Sequence, residues 1–173
     1  GRADLAEQAV WLARASAPDL MRMLPDPSPI PTAEMGIFDP SVTELSVKQI
    51  VNLLTRTEQA AHAADPRIDA PHIERFGQTV EQIAVVNSRG IALRTAATAC
   101  YISLSIIARQ DGLAERGYAG VVARGPSGLS PEEIGTRAAI RAVTPMGGEP
   151  MVTRRATVVF EPDVIADLLR GIS

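Results

Sequence analysis

The sequence predicts an α+β fold, an antiparallel β-meander of four to five strands packed with three to four helices. Three observations predict it. Residues 46–64 carry apolar side chains at helical spacing behind a capping serine. Residues 76–123 switch to β-rich, alternating runs separated by tight-turn residues. Ser130-Pro131-Glu132-Glu133 then opens another helix after the strands instead of between them, an order that favours hairpins over βαβ crossovers.

The first helix is expected over residues 4–17. Asp4 and Glu7 form a capping-box pattern, Leu5, Ala9 and Leu12 recur at helical spacing, and Pro18 ends it. Trp11 beside that stripe is expected to anchor this helix on the body. Residues 18–45 contain Pro18, Pro25, Pro27, Pro29, Pro31 and Pro40. So long a stretch without periodicity reads as an extended strap tying the first helix to the domain. The expected division is therefore 1–45, helix plus strap, and 46–173, the α+β central domain.

Ser46 caps the second helix with Gln49 three residues on; Ile50, Leu53, Leu54, Thr57 and Ala61 share one face until Asp65-Pro66 stops it. Residues 80–86 predict a strand, Asn87-Ser88-Arg89-Gly90 a turn, and residues 91–98 its return. Ile102, Leu104 and Ile106 alternate with Tyr101, Ser103 and Ser105 as a further strand. Asp111-Gly112 signals a hairpin because both residues tolerate positive φ, so residues 113–123 return again. The helix from Pro131 should run to about Val143, where Pro145, Gly147, Gly148 and Pro150 break it. Residues 153–160 predict a last strand, and Pro162 opens a helix after which the sequence soon stops. The chain is expected to be excised from something longer and truncated at its C-terminus.

Composition narrows the functions. Of 173 residues 17 are Lys or Arg and 20 Asp or Glu, a net charge of −3. Lys48 is the sole lysine and the arginines are spread, so no basic stripe serves nucleic acid. Cys100 is the single cysteine, which excludes an internal disulfide framework and suits a reducing cytoplasm. No apolar run approaches the roughly 18 residues a membrane span requires, and no signal peptide opens the sequence.

Candidate chemistry is sparse. His62, His72, Asp65 and Asp69 lie close in sequence, but their spacing matches no zinc motif. His62 reads as a solvated partner of Glu58 one turn earlier, and His72 as an exposed loop residue. Cys100, flanked by Ala99, Tyr101 and Ile102, reads as a core cysteine, not a nucleophile. The glycines of 124–128 and 146–148 fit no phosphate-binding pattern. Glu115 and Arg116 read as a solvated hairpin face. This leaves no catalytic residue, cofactor or metal ligand, and two readings of the sheet: an uncovered edge accepts an extended peptide, or every edge is covered by the helices or by the rest of the parent protein.

Three stretches carry a family resemblance in their order: Glu58-Gln59-Ala60-Ala61-His62-Ala63-Ala64-Asp65-Pro66-Arg67-Ile68, Val86-Asn87-Ser88-Arg89-Gly90, and Ala156-Thr157-Val158-Val159-Phe160-Glu161-Pro162 with the helix behind it. The chain resembles the TldD/PmbA family of metalloprotease-related proteins, also called modulators of DNA gyrase. In the catalytic branch such a helix begins Leu-Leu-His-Glu, the first half of a zinc-binding HExxH. Here Leu168-Leu169 precede Arg170 and Gly171, which stand where that branch has its His and Glu. The resemblance thus implies a fragment of the zinc-free, PmbA-like branch, a non-catalytic subunit supporting proteolysis of unfolded or modified peptides. Its implied partners are a TldD-like catalytic subunit or a second copy, with a peptide substrate and neither nucleic acid nor membrane. The alternative is a peptide- or protein-binding α+β module with no protease link.

Overall fold

The computed structural model describes residues 1–19, 21–29 and 35–172, with the side chains of Arg2 and His72 outside that description. Its described elements are helix α1 (Arg2–Ala15), a 3₁₀ turn (Pro40–Glu44), helix α2 (Val47–Ala64), strands β1 (Ile68–Val86), β2 (Ala92–Gln110) and β3 (Leu113–Ala123), a short 3₁₀ turn (Pro126–Gly128), helix α3 (Pro131–Val143) and helix α4 (Pro162–Arg170). The fold is α+β, an antiparallel sheet in the order β1-β2-β3 with α2 and α3 laid across one face.

Local signals act where they were expected. Ser46 accepts from the Gln49 amide while the Gln49 side chain receives the Ser46 amide at 2.9 Å, a reciprocal cap that starts α2. Asp111 and Gly112 adopt φ of 52° and 82°, so a two-residue turn joins β2 to β3. Pro131 begins α3, although Ser130 makes no side-chain cap there and Glu132 pairs instead with Arg56 of α2 at 2.7 Å.

The core lies between the helices and one face of the sheet. Cys100, Ile102, Leu104, Ile106 and Ala108 point inward at period two and meet Ala61, Ile134, Ala138, Ala139 and Ala142. Small residues set the spacing. A Cβ on Gly117 would run into the Ala138 carbonyl and Ala142 amide, and one on Gly135 into the Thr57 carbonyl, so β3 meets α3 and α3 meets α2 backbone to backbone.

Three expectations need correction. Among the described residues the sheet has three strands, because residues 91–98 and 102–106 belong to one 19-residue strand, and β1 begins at Ile68 and so includes His72. The run Thr95-Ala96-Ala97 has little β-propensity, but pairing with residues 81–83 of β1 holds it in the ladder. Residues 153–160 form no strand; their apolar side chains are exposed and they have no ladder partner. Trp11 is 69% exposed and anchors nothing, while the N-terminal ammonium pairs with Asp4, so α1 starts two residues earlier than its sequence pattern implied.

The strap is fastened at three places. Asn87 donates to the Pro25 carbonyl at 2.9 Å and Arg89 pairs with Asp26 at 2.8 Å, holding it to the β1–β2 turn. Farther along, Arg124 donates to the carbonyls of Met35 and Gly36, and the Thr98 amide donates to Ile37. Val42 then enters the core fully buried. Pro31 and the other residues of 30–34 lie outside the described residues.

Candidate functional site

The two sheet edges differ. Antiparallel pairing turns alternate backbone groups toward and away from a neighbour. On β3 the even-numbered residues turn outward, and the two carbonyls in the middle of that edge are taken: Arg141 donates to Tyr118 at 3.0 Å and Arg137 to Gly120 at 2.8 Å. Beyond the end of β3, Ile37 occupies the next position along β2, and Thr98 Oγ receives the Asp39 amide and donates to the Arg124 carbonyl, each at 2.8 Å. That side of the sheet is closed.

The β1 side is open. The Asn87 amide donates to the Ile91 carbonyl, which places the odd-numbered residues of β1 in hydrogen-bonded pairs with β2 and turns the even-numbered ones outward from Val86 back to Glu74. Among the described residues none of these outward groups has a backbone partner. The sequence expectation of one uncovered edge therefore falls on β1.

The face of the sheet away from the helices carries a second constellation. Register puts Ile73, Arg75 and Gly77 of β1 beside Ser105, Ser103 and Tyr101 of β2, and these beside Tyr118, Gly120 and Val122 of β3. Each tyrosine ring lies over a glycine: Tyr101 covers Gly77 and the Tyr118 hydroxyl overhangs Gly120. Between them is a shallow hollow of about 290 Å³ whose rim includes Arg75 and Arg116 and whose floor is Ser103 and Ser105, 8% and 7% exposed. A larger groove of about 700 Å³ separates β3 from α4, where Arg141 bridges to Glu161 and to Asp163.

The titratable residues singled out in the sequence take separate partners. His62 Nε2 is 3.9 Å from Glu58, Asp65 is clasped by both arms of Arg67, and Asp69 pairs with Arg109 at 2.6 Å. The guanidinium of Arg67 holds the Asp65 carboxyl down at about 2. His72 stands in β1 with its side chain outside the described residues. Among the described residues no cluster of His, Cys, Asp or Glu could hold a metal. Arg170 donates to Asp167 at 2.6 Å and Gly171 has no side chain, so this position does not fit a zinc ion. Cys100 is buried, and burial, then the charge of Asp39, pushes its thiol up, opposite to what a nucleophile needs. Glu115 and Arg116 are exposed on the hairpin.

Glu74 was not singled out by its sequence context. It faces α2 from the inner side of β1, its Oε1 is buried without a partner, and burial followed by the charge of Glu58 pushes its carboxyl up to about 7. Its place two residues before Phe76, on the face of β1 that meets the helices, was the signal that could have found it. No described helix is long and apolar enough to cross a membrane.

Known proteins place this geometry in a family. Residues 40–144 match the PmbA/TldA metallopeptidase central domain. Over 176 aligned positions the chain is 29% identical to metalloprotease PmbA of Escherichia coli O157:H7, covering 95% of this chain and 39% of that protein. A crystal structure of a protein described as a modulator of DNA gyrase from Thermotoga maritima superposes with a TM-score of 0.64 at 26% identity, over 69% of this chain and 28% of that one. Two further crystal structures share the fold: a protein of like description from Bacteroides thetaiotaomicron (TM-score 0.72, 19% identity, 87% and 36% coverage) and TldE from Thermococcus kodakarensis (0.63, 24%, 77% and 30%). The chain spans well under half the length of each relative, and it belongs to the PmbA/TldD family of metallopeptidase-related proteins.

Proposed function

We propose that this chain is part of a zinc-free, PmbA-like member of the family, a non-catalytic subunit that holds peptides for a TldD-like catalytic partner. The reading rests on the end of α4, where by the family resemblance Arg170 and Gly171 stand in place of the His and Glu of an HExxH. A guanidinium engaged with Asp167 supplies no lone pair to zinc, and glycine supplies no general base. The open edge of β1 supports the peptide-handling half, because strand addition draws its affinity from main-chain hydrogen bonds and tolerates many sequences. Residues 46–173 act as the central domain that presents this edge. Residues 1–45 act as a helix and strap fastened to it through Ile37, Asp39 and Val42. Cys100, buried and without a disulfide partner, supports action in the cytoplasm.

The test is co-purification of the full-length parent protein followed by metal analysis of each subunit. The reading expects a zinc-containing homologue in the complex, no zinc in this subunit, and proteolysis only by the pair. Proteolysis by this subunit alone would overturn it. A second reading rests on the same β1 edge: a peptide-binding module with no protease link, which predicts peptide capture by the chain and no association with a metallopeptidase.

A further inference from the structure

We propose that the outer face of the sheet is a carboxylate-binding site, with Arg75 and Arg116 as the paired cations, Ser103 and Ser105 as its floor, and Tyr101 and Tyr118 as its walls. The proposal deepens the peptide-handling reading and rests on it only for the carrier of the carboxylate, a peptide; the site itself stands on the residues below.

The first observation is charge without a counter-ion. Arg75 and Arg116 are exposed on the rim of the same hollow, and among the described residues neither makes an ion pair or a hydrogen bond. The acids nearest in the adjoining groove are committed elsewhere: Glu161 and Asp163 to Arg141, Asp167 to Arg170. In a chain with a net charge of −3, two guanidiniums on this rim thus have no acid partner among the described residues. Guanidinium is the side chain that recognises a carboxylate in a bidentate fork.

The second observation is independent of charge. Ser105 is only 7% exposed and lines the hollow, yet its Oγ is buried with no hydrogen-bond partner. A buried hydroxyl left unpaired is costly, and most native hydroxyls so placed have a protein, water or ligand partner. Ser103 beside it is equally buried and offers a second hydroxyl at the same level.

The third observation is the shape of the walls. Gly77 and Gly120 give each tyrosine ring room to lie down on the neighbouring strand, because a Cβ at either position would strike the tyrosine. The two rings therefore flank the serine floor, where Ser103 and Ser105 remain 8% and 7% exposed. The tyrosine rings add aromatic surface beside the guanidiniums, on which an arginine or a peptide side chain can pack.

Two sources of carboxylate share this chemistry, a peptide C-terminus and an acidic side chain. Acetate is titrated into the 173-residue chain against chloride at equal ionic strength, with amide shifts followed by NMR. Calorimetry then compares three N-acetylated peptides: a free acid, its C-terminal amide, and that amide with one internal residue replaced by glutamate. The proposal expects acetate to shift the amides of Gly77, Ser103, Ser105 and Gly120 first. It expects one of the two acids to bind about tenfold or more tightly than the neutral amide, and whichever acid that is identifies the source. Arg75→Gln and Arg116→Gln should each remove that preference. Ser105→Ala should raise the Tm by relieving an unpaired hydroxyl while weakening acid binding, opposite signs that a purely structural serine would not give.

Measurable but equal binding of the three peptides, unchanged acid preference in both arginine variants, or acetate shifts confined to other residues would overturn the proposal. Failure of the peptide reading registers differently. Acetate would still shift the floor amides while no peptide bound.

Discussion

The two edges of this sheet are built from the same strand chemistry and end in opposite states. β3 has its outward carbonyls at Tyr118 and Gly120 taken by Arg141 and Arg137, and Ile37 of the strap fills the position beyond it. β1 is longer, and among the described residues its even-numbered backbone groups from 74 to 86 have no backbone partner. An exposed edge is a template for pairing, and proteins usually blunt it. Here one edge is blunted by arginines from the helix it packs against, and the other is not. The difference teaches that edge exposure in this domain follows from helix placement. α3 crosses above β3 and can reach down to it, whereas α2 carries no arginine to the rim of β1.

The largest expected effect breaks the closed side at its root. Gly117→Val puts a branched side chain into the backbone of α3 and should cost about 3–4 kcal/mol, within the range for severe overpacking. Chemical denaturation checks this, and a loss under about 1 kcal/mol would mean that β3 and α3 are not held backbone to backbone.

A proline pair sharpens the comparison on the open side. Glu81→Pro removes a ladder bond to β2 and should destabilise by about 3 kcal/mol. Gln82→Pro removes an outward amide and an exposed side-chain bond from Arg94, and should cost about 1 kcal/mol, since edge positions tolerate proline. Thermal melts of the two variants give the order. Equal losses would contradict the assignment of which residues face outward.

Glu74 adds a pH dependence to the β1 side. Its folded carboxyl is raised to about 7 from an ordinary value of 4.5. The neutral form is therefore favoured by folding. The stability this lends is complete below about pH 4.5 and is lost as pH rises through 7. Discounted for partial exposure, the effect is on the order of 1–2 kcal/mol. Glu74→Gln should abolish it, so that the variant gains on the wild type between pH 5 and pH 8 in thermal melts.

A last variant opens the closed edge. Arg137→Ala with Arg141→Ala frees the carbonyls of Gly120 and Tyr118 and loosens α4. Each bond contributes about 1 kcal/mol. The more telling readout is self-association by sedimentation, which should rise as β3 acquires an unblunted edge.

What was legible in the sequence was whatever is decided locally. The Ser46 cap, the Asp111-Gly112 turn and the Pro131 start each depend on a few adjacent residues, and each appears where its residues stand. The continuity of β2 was not legible, because Thr95-Ala96-Ala97 is held in the ladder by a distant partner. Residues 153–160 have strand composition without a strand to pair with, and Trp11 has an anchor's size without a surface beneath it. The site divided in the same way. A free edge was foreseeable from an antiparallel meander, but which edge stays open depends on Arg137 and Arg141 crossing from α3, and the Arg75, Arg116 and Ser105 hollow exists only once three strands lie in register.

The most direct measurement is amide hydrogen exchange along the sheet with and without an extended peptide. The account predicts new protection at outward-facing amides of β1, among them Phe76, Gln78, Val80 and Gln82, and no change at Tyr118 and Gly120 of β3. Protection appearing along β3, or none along β1, would contradict it.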